Sequence, residues 1–273
     1  MSVVSFWFEF ASPYSMITAL RLVRALAAGD GAQAGDAAVR GLASCQVPDL
    51  AGVQIMYRPV TLFGLFKAVG QPALPNMQVP AKAQYLFHDV KRSLDLLGCP
   101  GFPSSRPPTW PPNTLLAGRM AWLLAQGPDF IRALDAGGEV PPAPTTAPLP
   151  LLQTAVLAEF VWRVYEAEFI AGQDIGSADV MARLWDKHVA GARNDLPTGT
   201  RAVELASGDA VKSGVALNTQ TAAGIGLFGA PSFTADDGAI YWGNDRLLDA
   251  VAHYRVRHML TQPSGPATNT PSI

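Results

Sequence analysis

Ser12 is the side chain whose position in this sequence most favours chemistry. It follows residues 4–10, whose large apolar residues alternate with other types and predict a strand, and it precedes residues 14–26, whose apolar spacing predicts a helix. A serine at such a corner lies beside the unpaired N–H groups of the first helical turn and the positive end of the helix dipole, where an anion such as a thiolate is stabilised. The other interpretation is that Ser12, followed by Pro13, only caps the helix.

The cysteines and histidines form no recognisable catalytic or metal-binding pattern. Cys45 and Cys99 are far apart in sequence and make no Cys-x-x-Cys pair, which fits a reducing compartment. The four histidines show no spacing typical of metal ligands. We therefore assign no metal site to this sequence.

The composition is typical of a folded globular protein. Hydrophobic residues make up 49% and charged residues 15% of the 273 residues, and the formal net charge is −2. The scattered Lys and Arg residues form no basic cluster, so we expect no nucleic-acid partner. No stretch is apolar enough to cross a bilayer, and residues 1–10 lack the basic region and cleavage site of a secretion signal. These features predict a cytoplasmic protein without a membrane partner.

The order of the predicted elements outlines the fold. After the opening strand, turn and helix, residues 27–51 have weak periodicity and predict a loop. Residues 139–150 are dense in proline, and we interpret them as a surface excursion rather than a domain linker. The remaining predicted elements are a strand at 53–57, helices at 82–97, 113–124, 151–170 and 177–188, a hairpin with strands at 232–235 and 239–242, and a helix at 245–259.

A strand–helix–strand start, a helical middle and a hairpin-plus-helix end predict an α/β protein with a thioredoxin-like fold and an inserted α-helical domain. We assign residues 1–61 and 206–262 to the thioredoxin-like domain and residues 62–205 to the helical insertion. Residues 263–273 are predicted to be a flexible tail.

The segment Phe8-Glu9-Phe10-Ala11-Ser12-Pro13-Tyr14-Ser15 resembles the start of the 2-hydroxychromene-2-carboxylate isomerases and of their relatives, the kappa-class glutathione transferases. The resemblance implies the helix-inserted thioredoxin fold of the periplasmic disulfide oxidoreductases. The stretch from Ser12 to Ser15 then takes the place of their redox Cys-x-x-Cys, which excludes disulfide exchange. Further matches lie at residues 57–59 with 64–67, 80–82 with 85, 110–114, 226–233 and 241–247.

The resemblance implies glutathione as cofactor, with Ser12 as the catalytic residue that hydrogen-bonds the glutathione sulfur. A cis bond between Ala230 and Pro231 would expose backbone groups to the cysteinyl part of the tripeptide, whereas alone it would be an ordinary strand-edge proline. Lys82 would lie near the glycyl carboxylate and Asp245 near the γ-glutamyl end, although alone they would be a surface lysine and a helix cap. The implied glutathione-binding residues are Ser12, Lys82, Ala230, Pro231, Trp242, Gly243, Asn244 and Asp245.

For the substrate we expect a small aromatic carboxylate, contacted by Arg58, Asn76, Tyr85, Trp110 and Asn113. The two asparagines could instead donate to glutathione or have capping or turn roles, and core packing is the alternative for the aromatic residues. The resemblance implies that glutathione adds reversibly to trans-o-hydroxybenzylidenepyruvate and interconverts it with 2-hydroxychromene-2-carboxylate. It also leads us to expect a homodimer.

Two other functions remain open on the sequence. A kappa-like glutathione transferase or peroxidase would use the same thiolate but release a conjugate or an oxidised product. A non-catalytic module would use Ser12 only as a cap and bind a peptide or an apolar ligand in its pocket.

Overall fold

The computed structural model describes residues 2–29, 47–71, 78–106, 110–138, 149–235 and 237–261. Within these ranges the chain forms a four-stranded mixed sheet and ten α-helices. The strands are β1 (Ser2–Phe8), β2 (Val53–Pro59), β3 (Ser232–Thr234) and β4 (Ile240–Trp242). The helices are α1 (Pro13–Gly29), α2 (Leu62–Ala68), α3 (Pro80–Leu96), α4 (Leu115–Ala125), α5 (Pro128–Asp135), α6 (Leu151–Phe169), α7 (Ala178–Trp185), α8 (Gly199–Ala206), α9 (Asp209–Gly224) and α10 (Leu247–Thr261).

The sheet has the strand order β2-β1-β3-β4. β1 runs parallel to β2, and this pairing needs the long crossover that contains α1. β3 runs antiparallel to β1, with Trp7 opposite Ser232. The end of β1 therefore lies beside the start of β3, which brings the corner at Ser12 next to the residues that precede β3.

Alternation along β1 sends its side chains into two separate apolar clusters. Phe6 and Phe8 are fully buried on one face, where Phe6 stacks on Phe8 at 5.0 Å and on Phe233 at 5.7 Å between ring centroids. Trp7 points to the other face and packs with a smaller cluster that includes Leu65 of α2. Both faces of the sheet are thus covered, which holds the end of β1 in place.

Helices α4 and α6 lie deep in the larger cluster. Their sequences are apolar on most sides, as expected for helices surrounded by other elements. α6 packs against α1 and α4, and its Tyr165 and Phe160 are completely buried. This packing brings the C-terminal half of α6 beneath the Ser12 corner.

The predicted α/β thioredoxin-like fold with added helices is confirmed. Helices α2, α5, α8 and α9 were not predicted, since short or weakly periodic apolar patterns do not identify them. The helix predicted over 113–124 begins at Leu115, with Thr114 rather than Asn113 as its N-cap residue. The helix predicted over 177–188 ends at Trp185 and continues as a π-helical turn, Asp186–Ala190.

Several predictions fall outside the described residues. They concern Cys45, Asn76, most of the proline-rich segment, Asp236 of the predicted turn and the tail at 263–273. The assigned domain boundaries stay predictions.

Candidate active site

The Ser12 hydroxyl lies at the N-terminus of α1 and joins two distant parts of the chain. It accepts a hydrogen bond from the backbone N–H of Ser15 at 3.3 Å, which is the expected cap of the first helical turn. It also donates to the backbone carbonyl of Ala230 at 2.9 Å, 218 positions away in sequence. The Ala230–Pro231 bond is cis, as predicted. Ser12 is buried, with 6% of its surface exposed.

The strand-to-helix corner is anchored by side chains from two further segments. Trp110 donates its indole N–H to the Ala11 carbonyl at 3.1 Å. Tyr165 of α6 donates its hydroxyl to the Glu9 carbonyl at 2.9 Å, and the Ser12 N–H donates to that same carbonyl at 3.0 Å. Trp110, predicted to contact substrate, is therefore part of the support of this corner.

Glu9 is a buried carboxyl at this corner that sequence reasoning missed. One of its oxygens accepts the Ala11 N–H at 2.7 Å, and the other is hydrogen-bonded to the Thr114 hydroxyl. Burial raises the pKa of Glu9 to about 7, although both hydrogen bonds act to lower it. The available signal was a charged residue between Phe8 and Phe10, which strand alternation alone places on a polar face.

Helix α3 is tied to the first turn of α1 through Asp89. The Tyr14 hydroxyl donates to one oxygen of Asp89 at 2.9 Å, and the Tyr85 hydroxyl donates to the other at 3.2 Å. Burial and the neighbouring Asp89 raise the pKa of Tyr14, so its hydroxyl stays neutral and serves as a donor. Lys82 and Tyr85 are both exposed and lie one turn apart on α3. The structure thus places these two predicted residues on a helix that contacts the Ser12 corner.

The segment between β4 and α10 also approaches this corner. The Gly243 N–H donates to the Pro231 carbonyl at 3.0 Å, and Arg21 of α1 donates to the Asn244 carbonyl at 2.5 Å. The Asp245 side chain is 70% exposed and lies 3.7 Å from the Arg246 guanidinium. Its charge is the smallest of the causes that raise the pKa of Tyr14, after burial, Asp89 and Tyr85.

Gly243 and Trp242 shape that segment. Gly243 has a φ of 113°, and a Cβ there would lie 2.4 Å from an Asp245 oxygen, so glycine permits the approach of the carboxylate. Trp242 is 54% exposed and packs edge-on against Phe228 with ring centroids 4.9 Å apart. An exposed indole beside the cis-Pro231 loop offers an apolar wall.

Two predicted substrate residues have other contacts. The Arg58 guanidinium lies over the Trp7 ring at 5.1 Å and donates to the Ser5 hydroxyl at 3.1 Å, on the face of the sheet that carries the smaller cluster. Asn113 is exposed, and its side-chain oxygen accepts the Leu115 N–H at 3.3 Å. Its neighbour Thr114, rather than Asn113 itself, bonds the corner through Glu9.

Chemically, the arrangement combines a hydroxyl donor and a helix N-terminus with the backbone carbonyl of the partly buried Ala230. Such a corner stabilises an anion, and a helix N-terminus is known to lower the pKa of a thiol by stabilising its thiolate form. In the described ranges, no group of three or more His, Cys, Asp or Glu residues could hold a metal ion. No helix in these ranges is both long and apolar enough to span a bilayer.

Comparison with known proteins identifies related sequences and folds. The model of the DSBA-like thioredoxin domain matches residues 3–117 and 149–255. A solved 2-hydroxychromene-2-carboxylate isomerase is 20% identical, with a TM-score of 0.64, and the match covers 96% of this chain and 100% of that one. A probable DsbA oxidoreductase from Streptomyces coelicolor is 16% identical, with a TM-score of 0.54, covering 97% of this chain and 93% of that one. No curated protein sequence matches the chain significantly.

Proposed function

Since the chain belongs to the family of DSBA-like thioredoxin domains, we propose that it uses this fold to bind glutathione and to isomerise an aromatic substrate through the glutathione thiolate. The observation that carries the proposal is the Ser12 hydroxyl, held at the N-terminus of α1 and facing the backbone of Ala230. This geometry suits a sulfur that is brought in by a ligand.

The serines at both ends of the stretch from Ser12 to Ser15 support an external thiol. A serine hydroxyl cannot form or exchange a disulfide, because that chemistry requires a thiolate attacking a sulfur. The N–H groups and dipole of α1 nevertheless remain, and they favour a negative charge. A thiol supplied by glutathione would restore the reactive sulfur at this position.

An exchange of hydrogen bonds would free Ser12 for the sulfur. In the structure the Ser12 hydroxyl donates to the Ala230 carbonyl. When glutathione binds, its cysteinyl N–H would donate to the Ala230 carbonyl in place of the Ser12 hydroxyl. The Ser12 hydroxyl would then turn and donate to the thiolate. A hydrogen bond to the charged form lowers the pKa of the thiol and raises the thiolate fraction near neutral pH.

The ends of the tripeptide would be held by α3 and by the segment before α10. The Asp245 carboxylate suits the ammonium of the γ-glutamyl end, and Lys82 suits the glycyl carboxylate. Both side chains are exposed, so each would contribute modestly to affinity. They would mainly fix the orientation of the thiol.

The reaction is reversible addition and elimination. The thiolate sulfur adds to the conjugated carbon of the open-chain substrate, which converts the carbon–carbon double bond into a single bond and moves the electron pair onto the enolate oxygen. Rotation about that single bond is followed by loss of the thiolate, which restores the double bond. Glutathione is regenerated, and ring closure gives the chromene carboxylate, the substrate class named for the similar isomerase structure.

The test is Ser12→Ala, with thiolate absorbance of bound glutathione and isomerisation rate as readouts. We expect the fold to persist and the pKa of the bound thiol to rise by about one to two units, because a hydrogen bond to a charged group contributes about 1.5–3 kcal/mol. Ser15→Ala is the matched control, since it removes a hydroxyl from the same helical turn but keeps the backbone N–H that donates to the Ser12 hydroxyl. Unchanged absorbance and turnover in Ser12→Ala would remove Ser12 from the mechanism.

The same assays separate this proposal from its rivals. A stable glutathione adduct formed at the rate of isomerisation would identify a transferase. An absence of heat on titration with millimolar glutathione would favour a non-catalytic binding module.

A further inference from the structure

The buried carboxyl of Glu9 has two hydrogen-bond partners of different kinds. Its first partner, the backbone N–H of Ala11 at 2.7 Å, can only donate. Its second partner, the Thr114 hydroxyl, can rotate and either donate or accept. Ionised Glu9 accepts from both, whereas protonated Glu9 accepts from Ala11 and donates to Thr114. The pocket therefore satisfies both protonation states of Glu9 without losing a hydrogen bond.

Burial raises the pKa of Glu9, so that the carboxyl changes between these two protonation states near neutral pH. Glu9 is only 4% exposed, and desolvation raises its pKa to about 7. Thr114 is the N-cap residue of α4, so the partial positive charge of that helix end offsets part of this cost. Both states are thus populated under ordinary conditions.

Glu9 is coupled to Ser12 through the backbone of the corner. Its side chain binds the N–H of Ala11, the residue immediately before Ser12, and its own carbonyl binds the Ser12 N–H at 3.0 Å. A charge on Glu9 and a charge on a sulfur at Ser12 would therefore be close together in a poorly solvated region. Like charges in such a region repel more strongly than they do in water.

The side chains that face Glu9 are neutral, so its charge would act mainly on the sulfur at Ser12. Tyr165 of α6 faces Glu9, and burial together with the Glu9 charge raises the pKa of Tyr165, so it stays neutral. From the segment before α4 the facing groups are Thr114 and Trp110, which are neutral. On α1, the Tyr14 hydroxyl is bonded to Asp89 instead.

We propose that Glu9 is a positioning residue that couples the charge of the thiolate at Ser12 to its own protonation. Neutral Glu9 favours the thiolate, and ionised Glu9 opposes it. When the bound thiol releases its proton to solvent, Glu9 takes one up from solvent at the oxygen beside Thr114, and the charge of the corner stays at one negative unit. The inference rests on the proposed function for the identity of the thiol, but its test does not require glutathione.

A thiol placed in the chain itself provides the direct test. Ser12→Cys and Ser12→Cys/Glu9→Gln are compared by thiolate absorbance against pH, with the unmodified chain as background for its two native cysteines. Glutamine keeps the Ala11 N–H and Thr114 partners but cannot ionise. We expect the pKa of the introduced thiol to be lower in the double variant by about one unit or more, and its titration to be steeper, because interacting groups broaden each other's curves.

Ser12→Cys/Glu168→Gln is the matched control. The pKa of Glu168 is also raised by burial, to about 6, but its carboxyl accepts the Ile175 N–H and no group of the corner. The introduced thiol should titrate in this control as in Ser12→Cys. An identical thiol pKa with and without Glu9 would overturn the inference.

A second measurement covers the case in which the double variant fails to fold. Infrared difference spectra should show the protonated Glu9 carboxyl band persisting to higher pH in Ser12→Cys, where a thiolate forms, than in the unmodified chain, where Ser12 stays neutral. A band that disappears at the same pH in both proteins would contradict the coupling. Calorimetry of the unmodified chain with glutathione is scored separately. Absence of binding there removes the proposed cofactor, while the two thiol pKa values still decide the role of Glu9.

Discussion

The Ser12 hydroxyl holds two hydrogen bonds at once, one accepted from the α1 N–H of Ser15 and one donated to Ala230. The accepted bond fixes the oxygen, and the hydroxyl proton, which is donated to the Ala230 carbonyl in the structure, can turn to a bound sulfur without breaking the accepted bond. The cap and the anion-binding interpretations of Ser12 are therefore compatible, because capping uses the lone pair and thiolate binding uses the proton. The sequence could predict the residue but not this division of its two roles.

Glu9 shows why part of the site could not be predicted from the sequence. Its partners Thr114 and Tyr165 lie 105 and 156 positions away, and only the packing of α4 and α6 brings them to β1. Strand alternation assigns Glu9 to a polar face, yet tertiary packing buries it. A charged residue within an aromatic strand is the one sequence signal of such a group.

Glu9→Gln should change the pH dependence of stability. The carboxyl has a raised pKa of about 7 when folded, against 4.5 when unfolded, so it lowers the free energy of unfolding as pH rises from about 4.5 to 7. We expect the wild-type protein to lose about 2–3 kcal/mol more than Glu9→Gln between pH 5 and pH 8. Urea unfolding at both pH values measures this difference.

Glu204→Gln is the control for that experiment, because Glu204 is an exposed carboxylate paired with Arg201 on the surface of α8. It should follow the wild-type pH dependence. Parallel curves for wild type and Glu9→Gln would mean that the Glu9 carboxyl does not titrate in this window.

At the scale of elements, the site forms because β1 ends where β3 begins. Alternation and turn residues predicted the opening strand, turn and helix and the closing hairpin. Because β3 pairs with β1, the cis Ala230–Pro231 bond directly before β3 lies beside Ser12. Helices α2, α5 and α8 escaped prediction because they have only seven or eight residues, and α9 because its apolar periodicity is weak. The two strands and the helix that form the Ser12 corner were therefore among the elements that the sequence predicted.

Asp245→Asn tests the segment between β4 and α10 as the holder of the γ-glutamyl end. We expect the Kd for glutathione to rise roughly three- to tenfold, since an exposed charge pair contributes about 1 kcal/mol. Calorimetry measures it. The Kd for cysteinylglycine, which lacks the γ-glutamyl group, should not change.

Asp249→Asn is the matched control on α10, where Asp249 is exposed and bonded to Arg246. It should leave both affinities unchanged. An equal loss of affinity for glutathione and cysteinylglycine in Asp245→Asn would show that Asp245 stabilises the local structure and does not bind the γ-glutamyl end.

At the scale of the whole molecule, one apolar cluster runs from the sheet into α4 and α6. The added helices therefore do more than cover the sheet, because they position Thr114 and Tyr165. These two residues hydrogen-bond Glu9 at the corner that contains Ser12. The family match and the fold were predictable from short motifs spread along the chain. The identity of the substrate was not, since substrate contacts depend on surfaces that differ among proteins of one fold.

A crystal structure of the protein with glutathione tests the central claim most directly. We expect the glutathione sulfur within hydrogen-bond distance of the Ser12 Oγ, the cysteinyl N–H on the Ala230 carbonyl, and the γ-glutamyl end beside Asp245. A tripeptide bound with its sulfur away from the N-terminus of α1 would contradict the account.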